Sequence, residues 1–180
     1  MARRQQQARA PRQLRRAVLV VGEGDAEGVL LRHLRTLVRG DRSTSITVRT
    51  GQGKGARGVV RYAIAQKAAA DYDFALAVLD TDTDWDPEVQ AMARAADIHV
   101  VPCQPCFEAV LRHAVLRRRP AVNTDAHKRA FEAHFGWPAH DERMQNWYER
   151  NWSTLAAFEE AAAGVVELMA LLEYLRPPQS

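Results

Sequence analysis

The fold is decided by one stretch of sequence, Phe74-Ala75-Leu76-Ala77-Val78-Leu79-Asp80-Thr81-Asp82-Thr83-Asp84. Because the first six residues carry no charge, we expect a strand that is buried on both faces, as in a parallel sheet. Ligands of such sheets bind at the carboxyl ends of the strands, where Asp80 and Asp82 would lie. Their hard oxygens suit Mg²⁺ or Mn²⁺, and a cation would offset their repulsion. The pattern equally fits a polar exit from the strand, with an aspartate as the N-cap of the next helix.

The residues around this stretch alternate between strand and helix patterns. Apolar or alternating runs predict strands at 17–21, 45–50, 74–79 and 98–101. Amphipathic segments between them predict crossover helices. This order is typical of an α/β fold with a parallel sheet of about four strands. We therefore predict an α/β domain over residues 17–104.

Residues 105–180 are predicted to form a helical extension that packs on this domain. Helical spacing indicates helices at 106–118, 124–135 and about 154–175. The apolar stripe of the last helix fits either the core or a dimer face, so a homo-oligomer is one expectation. The aromatic side chains of this region fit a helical core better than a surface that stacks on unpaired bases. They are Trp137, Trp147, Tyr148 and Trp152.

Composition limits the class of protein. The 180 residues suffice for one domain with an extension, and no apolar run has the length of a membrane helix, so no membrane partner is expected. The two cysteines make a disulfide framework impossible and favour the reducing cytoplasm. The net charge of +3 depends on residues 1–16, which hold six arginines and no acid. We expect this tail to be disordered, and its charge fits either phosphate binding or a solubilising leader.

A second acidic motif follows the first predicted strand. It reads Gly22-Glu23-Gly24-Asp25-Ala26-Glu27, and its glycines allow a sharp turn. If the first and third strands are neighbours, Glu23 faces Asp80 and Asp82 at one edge of the sheet.

This ordered pair of motifs resembles the TOPRIM domain of topoisomerases, primases and nucleases of the OLD type. The resemblance to RloB-like proteins is closer. The segment 22–27 is similar to their Glu-Gly-x-x-Glu signature, and Pro105-Cys106-Phe107-Glu108, followed by His113, is similar to their Pro-x-Phe-Glu…His block. Ala26 replaces the usual threonine of the family, and the spacing from Glu108 to His113 is slightly short.

The resemblance implies a TOPRIM-like sheet and a metal-dependent nuclease that hydrolyses the phosphodiester bonds of DNA or RNA. It also implies a bacterial restriction or phage-defence setting. Asp80 and Asp82 would hold Mg²⁺ or Mn²⁺, and Glu23 would be a further ligand or the base for the attacking water. A topoisomerase or a primase is not expected, because the chain lacks a tyrosine-bearing breakage domain and a nucleotide-handling domain.

The remaining motif residues have two interpretations each. The resemblance implies a metal or ligand-orienting role for Glu27 and Glu108, and an orienting or proton-transfer role for His113. An exposed glutamate near a helix dipole, a capping glutamate and an ordinary helix histidine are equally plausible. Asp84 would orient a ligand or cap the next helix.

Basic residues near these motifs are candidates for contacts with a nucleic-acid backbone. The Gly-rich loop 51–58 contributes two, although its glycine spacing is not that of a Walker A motif. The same arginines also fit a solvated helix end. The candidates are Lys54, Arg57, Arg112, Arg117, Arg118 and Arg119.

Cys103-Gln104-Pro105-Cys106 lies at a predicted strand-to-helix junction. It fits a redox pair, because a helix N-terminus favours thiolate, or half of a zinc site completed by His99 or His113. Its late position and the absence of a second cysteine pair favour two buried small side chains instead.

The expected partner is nucleic acid, with a partner ATPase or another defence-system protein as a further candidate. The rival to the nuclease is a catalytically silent nucleic-acid-binding or regulatory module that acts only with a partner. The two differ in one observable: the module would bind in a salt-sensitive way without metal-dependent turnover.

Overall fold

The computed structural model describes residues 15–39 and 43–176. Its strands are β1 (Arg16–Gly22), β2 (Thr44–Thr50), β3 (Phe74–Asp80) and β4 (His99–Cys103). They form one parallel sheet in the order β2-β1-β3-β4, which confirms the predicted α/β fold. The predicted basic tail lies outside the described residues except for Arg15 and Arg16.

Eight helices occur in the described ranges. Three connect successive strands: α1 (Asp25–Val38), α2 (Gly55–Ala68) and α3 (Pro87–Ala95). The others follow the sheet: α4 (Phe107–Leu116), α5 (Thr124–Phe135), α6 (Arg143–Asn151), α7 (Leu155–Ala162) and α8 (Val166–Leu175). The prediction of one helix over 154–175 is wrong. The helical segment is interrupted at Gly164, whose φ of 81° lies in the left-handed region. None of the helices described is long and apolar enough to cross a membrane.

The central strand β3 is buried on both faces, as its uncharged sequence predicts. Leu76 and Val78 lie in the core that contains α1, α4 and the C-terminal helices. Ala77 and Leu79 lie in the second core, with α2 and α3. At the edge of the sheet, β4 includes Pro102, where the missing N–H is not required for pairing.

Aromatic side chains fill the core between α1 and the C-terminal helices. Trp152 is 4% exposed and its ring stacks on that of Tyr148 at 5.1 Å. Trp137 and Trp147 pack against the same core and are partly buried. The interpretation of these aromatics as core residues is therefore confirmed.

The end of β1 packs against the start of α1 with no room for a side chain. A Cβ on Gly22 would lie 2.7 Å from Cβ of Glu27 and 3.3 Å from N of Gly28. A Cβ on Gly24 would meet only Oε2 of Glu27, at 3.5 Å. This close approach sets where α1 begins relative to the strand ends.

We predict that Gly22→Ala lowers the free energy of unfolding by about 1–3 kcal/mol, because strand and helix must separate to admit the methyl group. Gly24→Ala is the matched control and should cost about 1 kcal/mol or less. Urea unfolding of both variants measures the difference. Equal losses would contradict the packing argument.

Candidate functional site

The candidate site is a cavity at the carboxyl ends of β1 and β3. Its volume is about 530 Å³, and five acidic residues line it: Glu23, Asp25, Glu27, Asp80 and Glu108. The other lining residues are Gly24, Ala26, Thr50, Gln52, Gly53, Lys128 and His140. The sheet order explains the convergence, because β1 and β3 are adjacent parallel strands and end at the same edge.

Glu23 and Asp80 are joined through the backbone. The amide of Asp80 donates to Oε2 of Glu23 at 3.0 Å, and the amide of Phe107 donates to Oδ1 of Asp80 at 2.8 Å. The amide of Glu23 donates to the carbonyl of Val78 at 3.0 Å, which extends the pairing of the two strands. The expectation that Glu23 faces Asp80 is confirmed. Each of the two carboxylates keeps a second oxygen for other partners.

Glu27 lies near Glu23 and Asp80, in the first turn of α1. Its side chain is 4% exposed, so an exposed position is wrong for this residue. Its Oε2 accepts a hydrogen bond of 2.9 Å from the amide of Gly24, as the N3 residue of a capping box does. The N-cap of α1 is Gly24, and Asp25 is the first residue of the helix.

Burial keeps three of these side chains, Glu23, Glu27 and Asp80, protonated to a higher pH than usual. Burial, followed by the charges of Glu27 and Glu108, raises the pKa of Asp80 to about 9. Burial and the charges of Glu23 and Glu108 raise the pKa of Glu27 to about 7. Burial also raises the pKa of Glu23, with a smaller contribution from the charge of Asp82. A cluster of this kind is stabilised by bound protons or by a cation.

Lys128 is the basic member of the cavity and was not identified from the sequence. It lies on α5, in a region without a recognisable motif, and it is exposed. Burial lowers its pKa, but the charges of Glu108 and Asp80 outweigh that effect and raise it. His140, also exposed, reaches the cavity from the segment after α5. Helices α4 and α5 pack together, which only the tertiary structure reveals.

The lining side chains suit a hard divalent cation by their chemistry, but their present arrangement does not form a site for one. The five lining acids offer only oxygen ligands, as Mg²⁺ and Mn²⁺ prefer. Within residues 15–39 and 43–176, however, no three His, Cys, Asp or Glu side chains are arranged to hold a metal ion. Binding would therefore require these side chains to rotate towards a shared centre.

The acids after Asp80 have different positions. Asp82 is exposed and is not among the residues that line the cavity. Asp84 caps α2 from a distance, since its carboxylate accepts hydrogen bonds from the amides of Ala56 at 2.8 Å and Arg57 at 3.2 Å. The N-cap of the next helix is Asp86, not Asp84.

His113 does not line the cavity. It is half-buried on α4, and its Nδ1 is buried without a hydrogen-bond partner among the described residues. Arg112 lies four residues after Glu108, on the same side of the helix. Its Nη1 lies 3.1 Å from Nδ1 of the buried His127.

Most of the arginines proposed for nucleic-acid contacts already have partners in the fold. Arg57 binds Asp86 and Glu88 at 3.1 and 3.0 Å. Arg117 donates to three carbonyl groups at the end of α7. Arg119 forms a two-bond ion pair with the buried Glu167. The exposed members of the set are Lys54, Arg117 and Arg118.

The cysteine pair is buried and reduced. Cys103 and Cys106 are both free thiols with at most 1% exposure. Burial, followed by the charge of Asp80, raises the pKa of Cys103 well above its usual value. Burial and the charge of Glu108 raise the pKa of Cys106 to about 12. These environments disfavour thiolate, in agreement with two small buried side chains.

The raised pKa of Asp80 predicts a specific dependence of stability on pH. The folded state retains a proton that the unfolded state releases above pH 4, so this group lowers stability as pH rises from about 4 to about 9. Asp80→Asn keeps the acceptor for the amide of Phe107 and removes the titration. In EDTA, the variant should melt at a higher temperature than the wild type at pH 9, and the gap should narrow towards pH 5.

The matched control is Asp71→Asn, at an exposed aspartate away from the cavity. It should leave the melting curve unchanged across this range. A gap that stays constant from pH 5 to pH 9 would show that Asp80 is not held protonated.

No protein-family model, curated protein or solved structure matches this chain. The resemblance to RloB-like proteins therefore depends on the motifs quoted above, and the function that it implies is a proposal.

Proposed function

We propose that the protein is a nuclease that hydrolyses the phosphodiester bonds of nucleic acid with Mg²⁺ or Mn²⁺. One observation carries this proposal: Glu23, Glu27, Asp80 and Glu108 line a single cavity at the ends of adjacent parallel strands, with Lys128 at its edge. The order of the motifs and their resemblance to RloB-like proteins point to the same chemistry.

The carboxylates proposed as metal ligands are Glu23 and Asp80, with Glu27 and Glu108 beside them. Each of the first two uses one oxygen for a backbone amide, which leaves Oε1 of Glu23 and Oδ2 of Asp80 without a hydrogen bond from any described residue. When bound, the cation would polarise the phosphoryl group and lower the pKa of a water molecule. Asp82, which the sequence pairs with Asp80, would have to move in from its exposed position.

The chain itself would position the reactants. The amides of Asp80 and Phe107 each hold one carboxylate oxygen, of Glu23 and Asp80 respectively, while the side chains would still have to rotate towards a shared metal centre. A water oxygen forms a bond to phosphorus and the bond to the leaving sugar oxygen breaks. The proton of the water passes to Glu23 or to solvent, and the leaving oxygen takes a proton from solvent. Lys128, which lines the same cavity, would bind a phosphate oxygen of the substrate.

The test is incubation of the purified protein with labelled single- and double-stranded DNA and RNA in Mg²⁺, Mn²⁺ or EDTA. Cleavage should require the metal. Asp80→Asn and Glu23→Gln should reduce it by about 10²-fold or more, because each removes a negatively charged ligand of the proposed cation. Both variants keep the acceptor oxygen of their hydrogen bonds, so their melting curves should show a folded protein.

Asp71→Asn is again the matched control and should cleave like the wild type. Full cleavage by a folded Asp80→Asn variant would contradict the assignment of the site. The substrate that is cut would decide between DNA and RNA.

Lys128 provides a separate prediction on substrate binding. Lys128→Gln should weaken binding of single-stranded nucleic acid severalfold and reduce its dependence on salt, since it removes one phosphate contact. Arg129→Gln is the matched control, because Arg129 is the exposed neighbour on α5 and does not line the cavity. Fluorescence anisotropy over a salt series measures both variants. An equal loss in the two would indicate only a general effect of positive charge.

One observation favours the rival function, a silent nucleic-acid-binding or regulatory module. No three metal-ligating side chains in the described parts of the chain are preformed into a site. This rival predicts salt-sensitive binding without turnover for every substrate and metal. A partner ATPase or another defence-system protein would then supply the activity. For either function we propose a cytoplasmic protein of bacterial phage defence, in line with two free cysteines.

A further inference from the structure

A second cavity lies at the other end of the strands from the carboxylate cavity, at the amino ends of β1 and β2. Its volume is about 240 Å³. It is lined by the last turn of α1, the start of β2 and the residue before β1. The lining residues are Arg15, Arg35, Val38, Arg39, Thr44, Ser45 and Ile46. The seven residues of β1 separate it from the carboxylate cavity, which corresponds to about 20 Å at the usual rise of a strand.

Three of these side chains are arginines, and none of the described residues in the lining is acidic. Arg15, Arg35 and Arg39 make no side-chain hydrogen bond or ion pair with any described residue. The neighbouring Arg16 differs, because it donates to the carbonyls of Tyr174 and Arg176. The cavity therefore concentrates positive charge that none of the described residues neutralises.

Two polar atoms of the lining are buried without a hydrogen-bond partner among the described residues. They are Nε of Arg35 and Oγ1 of Thr44. Such an atom loses its hydrogen bonds to water, so it costs free energy unless another group pairs with it. The C-terminal dipole of α1 explains why basic residues lie in its last turn. It does not explain why a guanidinium nitrogen and a hydroxyl are both buried and unpaired beside a cavity.

We propose that this cavity binds a phosphate group. Guanidinium forks and a hydroxyl are the donors that phosphate oxygens accept, and the planar fork gives two parallel hydrogen bonds. The volume is below the range of roughly 300–1,000 Å³ that is typical of pockets for whole small molecules. It fits the anionic group alone, whether that group is free phosphate or one phosphate of a nucleic-acid backbone.

Binding in EDTA separates this proposal from the nuclease, because no metal is needed. Sodium phosphate is titrated into the protein by calorimetry at constant ionic strength, and a labelled single-stranded oligonucleotide is titrated by anisotropy. Arg35→Gln should weaken binding about tenfold or more, the scale of one hydrogen bond to a charged group. Arg35→Lys should restore it only in part, because lysine keeps the charge and loses the fork.

Arg32→Gln is the matched control. Arg32 is an exposed arginine on the same helix and does not line the cavity. Its loss should change binding of either probe less than about twofold, as for an exposed charge far from the ligand. Arg39→Gln, at an exposed lining residue, should weaken binding as well, and it decides the matter if Arg35→Gln does not fold.

The two probes distinguish the source of the phosphate. Binding of inorganic phosphate that is lost in the lining variants indicates a site for the free anion. Binding of the oligonucleotide alone, lost in the same variants, indicates a backbone phosphate. The proposal is overturned if neither probe binds, or if Arg32→Gln weakens binding as much as the lining variants do.

Discussion

The hydrogen bond from the amide of Asp80 to Glu23 forces two carboxylates together at the end of the sheet. It exists because β1 and β3 are parallel neighbours in a register that pairs Gly22 with Val78, so that Glu23 follows β1 close to the end of β3. The close contact of Gly22 with α1 then brings Glu27 beneath the pair, and the start of α4 adds Glu108. The backbone therefore sets the position of the acids, and their charges must be accommodated afterwards.

The N-termini of two helices stabilise part of the negative charge of these acids. The amides of Gly24 and Phe107, at the N-termini of α1 and α4, donate to Glu27 and Asp80. Two helix dipoles thus present their positive ends to the cluster, and such ends stabilise nearby negative charge. The stabilisation is incomplete, since the pKa values of Glu23, Glu27 and Asp80 are all raised. Without a metal ion, the protein is consequently expected to retain protons on the carboxylates that would bind the proposed cation.

Sequence periodicity predicted the parallel sheet because a buried strand and an amphipathic helix have different repeats. It also predicted that Glu23 meets Asp80, since strand ends in such a sheet share one edge. It did not predict the distinct roles of Asp82 and Asp84, which depend on loop torsions; Asp84 has a φ of 25°. The position of Lys128 in the cavity could not be predicted from the sequence either, because it depends on the packing of α5 against α4.

The described part of the chain separates its charge along the strands. Acids converge at the carboxyl ends of β1 and β3, whereas unpaired arginines converge at the amino ends of β1 and β2. A polyanion would be attracted to the basic amino ends of the strands. The acidic carboxyl ends would repel it until protons or a cation neutralise the acids. The single charge of Lys128 cannot offset the five acids that line the same cavity. If the proposed cation binds, it would therefore supply both the chemistry and the charge balance that allows a phosphate to approach this edge at all.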